Sequence, residues 1–453
     1  MMNMDRTVRE NGFVVNQTSL NKEQKEAIGL LSIGTFLEYF DLMLYVHMAV
    51  VLNELFFEPS NPFTSSLYTA LAFCSTYVLR PFGALIFGWI GDNIGRKITV
   101  IITTTMMSAS CLVMANLPTY AEVGITASVL VTICRMVQGL SSMGEIIGAD
   151  IYVTEITKPP AQYPAVSLVN ISSSLGGMAA LGVGYFVINH NFNWRYAFWA
   201  GAGIALIGSF ARNKLRETPD FANAKLRIKN IIEKAGFDSI SMKTNPIIQE
   251  KVNKKSAIAM FLVQCAWPAC FYFIYFHCGT ILKSSFSYTG EQIITHNFYI
   301  SISRVFSLII IAYLSYYIYP LILIKIRMIV FSIIILAFPY LLNNFITSPL
   351  ELLILQLILS TFSLSFCSGH PILYKHFPVF KRFTYASFLY ALSRISVYVI
   401  TSFGFIYLTH YFGNYGILVV MIPITIGFAY GFNHFEKLEK QKGNYPAKSA
   451  ITL

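Results

Sequence analysis

Twelve long apolar stretches constrain this chain more than any other feature. They run over residues about 27–55, 65–90, 98–117, 122–150, 164–188, 195–212, 256–282, 292–318, 327–343, 350–374, 384–409 and 414–434. A hydrocarbon core ~30 Å thick is crossed by roughly 20 apolar residues of helix. Backbone N–H and C=O groups find no water there, so each segment has to satisfy its own polar groups, as a helix does. Of 453 residues, 55% are hydrophobic and only 12% charged, about half the charged share of a soluble domain. The expected fold is all-α and integral to the membrane, with twelve transmembrane helices.

The net charge of +11 invites a nucleic-acid or anionic-lipid partner, but its distribution argues for topology instead. Of the 33 Lys and Arg, 27 fall in the two tails and in alternate loops, whereas the opposite loops hold only Arg195 and Lys283. This is the positive-inside pattern. It predicts cytoplasmic termini, an even number of spans and no nucleic-acid partner. The first 26 residues are polar, without the apolar core of a signal peptide, so the first span is expected to act as its own insertion signal.

All seven Cys lie in predicted spans, and His47, His277, His296 and His370 are scattered. Neither pattern resembles a disulfide framework or metal site, so no metal or cofactor is expected. His277 beside Cys278 reads as packing or lumen rather than ligation.

A long polar segment divides the spans into two sets of six. The expected domains are a cytoplasmic tail (1–26), a six-helix half (27–212), a basic cytoplasmic linker (213–255) holding the amphipathic "FANAKLRIKNIIEKAG", a second six-helix half (256–434) and a C-tail (435–453). Six spans, a basic linker and six more is the layout of carriers built from repeated halves, with solute bound at their interface.

Between the second and third spans lies "FGWIGDNIGRKITV". As a bare hairpin it needs only a few polar residues, and its glycines permit a tight turn and close helix approach. The pattern Gly88, Gly91, Asp92, Gly95, Arg96, Lys97 resembles the signature loop of the major facilitator superfamily. "GTFLEYFDLMLY" (34–45), "RPFGALIFGWIGD" (80–92), "RMVQGLSSMGEIIGA" (135–149) and "WRYAFWAGAGIALIGSFARNKLRETPDF" (194–221) narrow the resemblance to the metabolite:H⁺ symporter family, which includes proline/betaine and α-ketoglutarate permeases. The second half departs from that pattern, lacking the repeat of the signature loop and the glycine-rich eleventh span. Asn93 also stands where an Arg is common. The resemblance implies a cytoplasmic gate in which Asp92 meets a helix end of the other half and Arg96 reaches Glu155.

Charged side chains inside spans are costly, about 2.5–3.5 kcal/mol on insertion scales, and so mark cavities and partners. Glu38 and Asp41 share one helix face. Arg135, Gln138, Ser142 and Glu145 form a stripe on the fourth span. The expectation is that both stripes line one central pathway. There a carboxylate takes up and releases the coupling proton; the alternative is a static ion pair that fixes helix packing. The resemblance favours Asp41 and Glu38 with Arg135 for the proton. Arg80 either contacts the cavity or braces a helix kinked at Pro81. Arg304 and Arg394 are expected in the cavity, where two arginines could hold a carboxylate, against snorkelling to an interface. Pro268 could break the seventh span, and Trp267, Tyr272 and Tyr275 could cage a quaternary ammonium. "GGMAALGVG" (176–184) reads as small-residue helix packing.

The expected function is a proton-coupled symporter, not an enzyme, acting as a monomer in the inner membrane and importing a small zwitterion such as proline or betaine. The alternatives are a symporter of an organic di- or tricarboxylate and a transporter-like sensor that no longer moves its ligand.

Overall fold

The computed structural model describes residues 8–10, 13–15, 17–47, 52, 55–57, 76–190, 193–212 and 250–446. Side chains at 8–15, 46–47, 144–145, 187–190 and 204–212 lie outside that description. So do the 213–249 portion of the expected linker, the start of the second expected span, and residues 447–453.

A small hairpin, β1 (Val8–Glu10) and β2 (Phe13–Val15), precedes the helices. The first set comprises α1 (Lys22–His47), α2 (Arg80–Asn93), α3 (Arg96–Ala115), α4 (Ile125–Ile156), α5 (Gln162–His190) and α6 (Arg195–Arg212). The second set begins with α7 (Lys254–Phe271), which runs through a π-helical turn at Tyr272–His277 into α8 (Cys278–Phe286). It continues with α9 (Gly290–Tyr317), α10 (Pro320–Asn344), α11 (Pro349–Phe362), α12 (His370–Tyr374), α13 (Val379–Phe412) and α14 (Gly416–Gln441). Counting α7–α8 and α11–α12 as one rod each, the described residues form twelve rods, matching the apolar stretches in order.

Helix starts follow local chemistry. Thr289 and Gln292 form a reciprocal capping box at α9, with bonds of 2.9 and 3.3 Å. Ser348 and Glu351 do the same at α11, satisfying donors that a helix start leaves open. Pro320 starts α10 at a position where its missing N–H costs nothing. The helix thus begins seven residues before the expected 327 and carries Arg327 inside.

The outer surface is apolar. On α10, Ile326, Ile329, Ile333 and Leu336 are exposed while Phe331, Ile335 and Phe338 are buried. That division suits lipid on one face and protein on the other. In lipid, helices associate through close packing rather than exclusion of water. A side chain at Gly176 would run into the backbone of α1 at Phe36, and one at Gly139 into the carbonyl of Thr76 beside α2. The small residues of 176–184 therefore seat α5 against α1.

The two sets meet along α2 with α13 and α5 with α9. Across this seam the Tyr39 and Tyr390 hydroxyls lie 3.3 Å apart, and the Tyr77 and Tyr398 rings 4.6 Å apart.

Candidate functional site

A cavity of about 140 Å³ lies between the sets, lined from both. Arg80 on α2, Arg304 on α9 and Arg394 on α13 all reach it, and all three are buried. Each lies over an aromatic ring, at 4.3 Å from Tyr77, 3.8 Å from Trp267 and 4.1 Å from Tyr390.

Two backbone irregularities position these arginines. Pro268 has no N–H, so the carbonyl four residues earlier, on Gln264, is released from the helix ladder. Arg394 donates to that carbonyl at 2.6 Å. The helix does not break at Pro268, as the sequence suggested it could. It continues and widens into the π-turn at Tyr272–His277. The second irregularity is the end of α11 at Phe362, within the stretch expected as one span to 374. Its last carbonyls face inward and carry the negative end of the helix dipole. Arg304 donates to the Ser360 carbonyl at 3.3 Å and to the Ser363 hydroxyl, and Arg327 donates to the Ser363 carbonyl at 2.7 Å. Arg327 was not singled out in the sequence because it stands at the expected edge of a span, whereas α10 carries it inside. The Ser- and Gly-containing "FSLSFCSG" was the available signal for the break.

One carboxylate, Asp150 on α4, lines the cavity among the described residues. Its Oδ2 lies 2.8 Å from Nδ1 of His370, and its Oδ1 accepts from the Asn170 amide at 3.2 Å. Tyr374 donates to Oδ2 at 3.4 Å. Asp150 ends the motif-bearing part of α4 without belonging to its expected stripe, and His370 looked isolated because its partner is 220 residues away.

The expectation that both stripes line this pathway is corrected. Asp41 is buried inside the first set, accepting from the Cys111 thiol at 2.9 Å. It fits against α6 because Gly201 has no side chain: a Cβ there would collide with Oδ1 of Asp41. Arg135 donates to Gln138 at 2.9 Å and covers the Tyr45 ring, and Gln138 approaches Cys111 at 3.6 Å. The described contacts thus form a chain from Arg135 through Gln138 and Cys111 to Asp41. Ser142 turns back to the Gly139 carbonyl at 2.8 Å. Glu38 faces a separate small pocket with Thr103, Thr104 and Ser141. The side chain of Glu145 lies outside the described residues.

The aromatic cage is also corrected. Trp267 and Tyr275 line the cavity, but the Trp267 face is covered by the Arg304 guanidinium. Tyr272 stacks on Phe276 at 5.2 Å and meets Phe405 at a tilt at 6.0 Å, away from the cavity lining.

A second charged cluster is buried where α2 turns into α3. Asp92 accepts from the backbone N–H groups of Phe383 and Thr384, at 3.1 and 2.8 Å, in the first turns of α13. These two donors lie just beyond the four N–H groups that a helix start leaves open, still near the positive end of the helix dipole, which favours an anion. Arg96 bridges Asp92 at 3.2 Å and Glu155 at 3.4 Å, and donates to the Val379 carbonyl at 2.7 Å and to that of Gly91. Arg382 adds a 2.8 Å bond to Glu155 from the opposite set, a partner the sequence did not single out. Gly88 and Gly91 lie against Thr384 and Phe383, where a Cβ would come within 2.6 and 2.7 Å of them. Gly95, at φ 154° and ψ 154°, occupies backbone space essentially restricted to glycine. Lys97 is half-buried on the first turn of α3.

A charged cavity enclosed between two sets of membrane helices, bridged at one end by buried ion pairs, defines a multi-pass membrane transporter. The chain belongs to the Major Facilitator Superfamily, whose sequence model matches residues 31–397. Proline/betaine transporters of Salmonella typhimurium strain LT2 and Escherichia coli strain K12 are each 33% identical over 204 residues, 44% of this chain. That match covers 41% of the length of each relative. A solved structure of the proton:xylose symporter XylE bound to 6-bromo-6-deoxy-D-glucose superimposes with a TM-score of 0.74 at 13% identity, over 91% of this chain and 95% of that one. The transporter FucP in its outward conformation gives 0.66 at 13% identity, over 92% and 99%. At these identities the structural matches concern the fold.

Proposed function

We propose that the chain is a proton-coupled symporter of the inner membrane, with both termini cytoplasmic, that imports a small carboxylate-bearing solute by alternating access. The observation that carries the solute class is the cavity charge. Three buried arginines face it, against one described carboxylate that is already in contact with His370. Among the described residues, Nε and Nη2 of Arg80 have no hydrogen-bond partner. A buried guanidinium with unfilled donors is costly, and a carboxylate is the planar acceptor that matches its fork. The cluster of Asp92, Arg96, Glu155 and Arg382 serves as a cytoplasmic latch that forms and breaks as the two sets rock.

A zwitterion such as proline or betaine is the second reading, favoured by the names of the 33%-identical relatives. Against a quaternary ammonium stands Trp267, whose face Arg304 already covers.

The test is reconstitution into liposomes with an alkaline interior and a pH-sensitive dye outside. Proline, betaine, α-ketoglutarate, citrate and shikimate are added in turn. External alkalinisation on α-ketoglutarate, citrate or shikimate, lost in Arg80→Gln, is the expected result. A response to proline or betaine alone would replace the anionic reading with the zwitterionic one. Binding of a panel member without flux in folded, inserted protein would identify a sensor.

A further inference from the structure

We propose that the coupling proton is bound at the Asp150–His370 pair on the seam between the two helix sets, and not at Asp41. This rests on the symport reading above. A proton that is coupled to solute movement has to bind where the cavity can deliver it, and its affinity has to change when the halves move. Asp150 and His370 meet the first requirement, since both line the cavity that holds the three arginines. Asp41 does not line it; it is enclosed by Cys111 and Gly201 inside one set.

The second requirement follows from which elements supply the contacts. Asp150 is on α4 and its amide partner Asn170 is on α5, so both move with the first set. His370 and Tyr374, which meet its other oxygen at 2.8 and 3.4 Å, are on α12 of the second set. Separating the sets therefore strips Asp150 of the imidazole and the phenol while leaving it the asparagine. A carboxylate close to an imidazole favours the imidazolium, and removing it in a low-dielectric site favours the neutral ring. The rocking that changes access thus also changes proton affinity. The step is simple protonation: a proton from the outer side adds to His370 while it is paired with Asp150 and the latch at Glu155 is closed, as both are here. It leaves to water on the inner side when the latch opens and the parting sets take the carboxylate away from the ring.

The other groups facing the pair fit this role. Cys367, just before α12, is close enough to interact electrostatically with Asp150. Arg394 on α13 acts on Tyr374 beside it, as does Tyr390. Arg80 and Arg304 share the cavity, while Lys375 donates to the side-chain amide oxygen of Gln162 at 2.6 Å. A bound anionic solute would neutralise these arginines and so remove their repulsion of an imidazolium at His370. Solute and proton would then promote each other's binding, as symport requires.

The experiment compares Asp150→Asn, Asp150→Glu and His370→Gln with wild type in two liposome assays. One reads solute-driven external alkalinisation; the other reads exchange of labelled solute, which needs no net proton movement. Asp150→Asn is expected to reduce alkalinisation to the solute-free background and to lower exchange much less, so that the ratio of alkalinisation to exchange falls about tenfold or more. Asp150→Glu, which keeps a titratable oxygen, restores alkalinisation. His370→Gln keeps a hydrogen bond to Asp150 but no charge, and flattens the pH dependence of exchange. It carries the test alone if Asp150→Asn does not reach the membrane. Full alkalinisation in Asp150→Asn, or in His370→Gln with an unchanged pH profile, overturns the assignment. Loss confined to Asp41→Asn overturns it too. No solute-driven proton uptake in wild type would instead remove the symport reading itself.

Discussion

Replacing Gly88 by Ala tests whether the buried cluster is a latch. Its Cβ would lie 2.6 Å from the Thr384 backbone, where about 3.4 Å is the near limit of ordinary contact. A helix backbone cannot yield as a side-chain tip can, so α2 and α13 have to part by roughly 0.8 Å, the difference between those distances. The 2.8 Å bond from Thr384 to Asp92 then stretches to about 3.6 Å, past the useful range of a hydrogen bond. A bond to a charged group contributes about 1.5–3 kcal/mol. Losing one shifts the balance between latched and open forms by about tenfold or more. Cys367 lines the cavity and reports that balance without any added label. Its alkylation by a small thiol reagent applied from the 91–97 side, read by mass spectrometry of its peptide, is expected to accelerate about tenfold. Folded Gly88→Ala protein that labels at the wild-type rate and transports normally would show that this contact does not hold the two sets together.

Glu155→Gln leaves Arg96 and Arg382 without their shared carboxylate in a buried site, and breaking such a pair costs about 3–5 kcal/mol. Thermal unfolding in detergent should show a clear drop in Tm, and an unchanged Tm would mean the pairs are energetically idle. Gly201→Ala pushes a methyl into Asp41 and should destabilise by about 1–3 kcal/mol. The same melt detects it; a neutral result would mean that α1 and α6 are not tightly apposed at this point.

The Gly-Asp-Gly-Arg-Lys pattern was legible because turn chemistry and charge are local. Asp92 and Arg96 stand one helical turn apart across a tight turn, and their joint burial follows from the spacing. Arg382 was not legible, because nothing near it in sequence marks it as a partner of Glu155. Glu38, Asp41, Arg135 and Gln138 were correctly seen as polar groups inside apolar helices, but periodicity assigns a face without saying what it meets. The face of α1 bearing Asp41 meets α3 and α6, since Gly201 leaves room there. Pro268 was visible as a break in hydrogen bonding, yet only the fold supplied the guanidinium that uses the freed carbonyl.

By itself, the sequence determined that this is a twelve-span membrane protein, which stretches become helices, and which turn carries the charge cluster. These follow from the cost of bare backbone and charge in hydrocarbon and need no knowledge of neighbours. Tertiary structure alone decided which partners those charges meet. It brought Arg80, Arg304 and Arg394 together from three helices and set Asp150 against His370 across 220 residues. A hydrophobic pattern specifies how each helix turns its faces. Which helix lies opposite is specified by close approach at small residues and by the few polar contacts between the two sets.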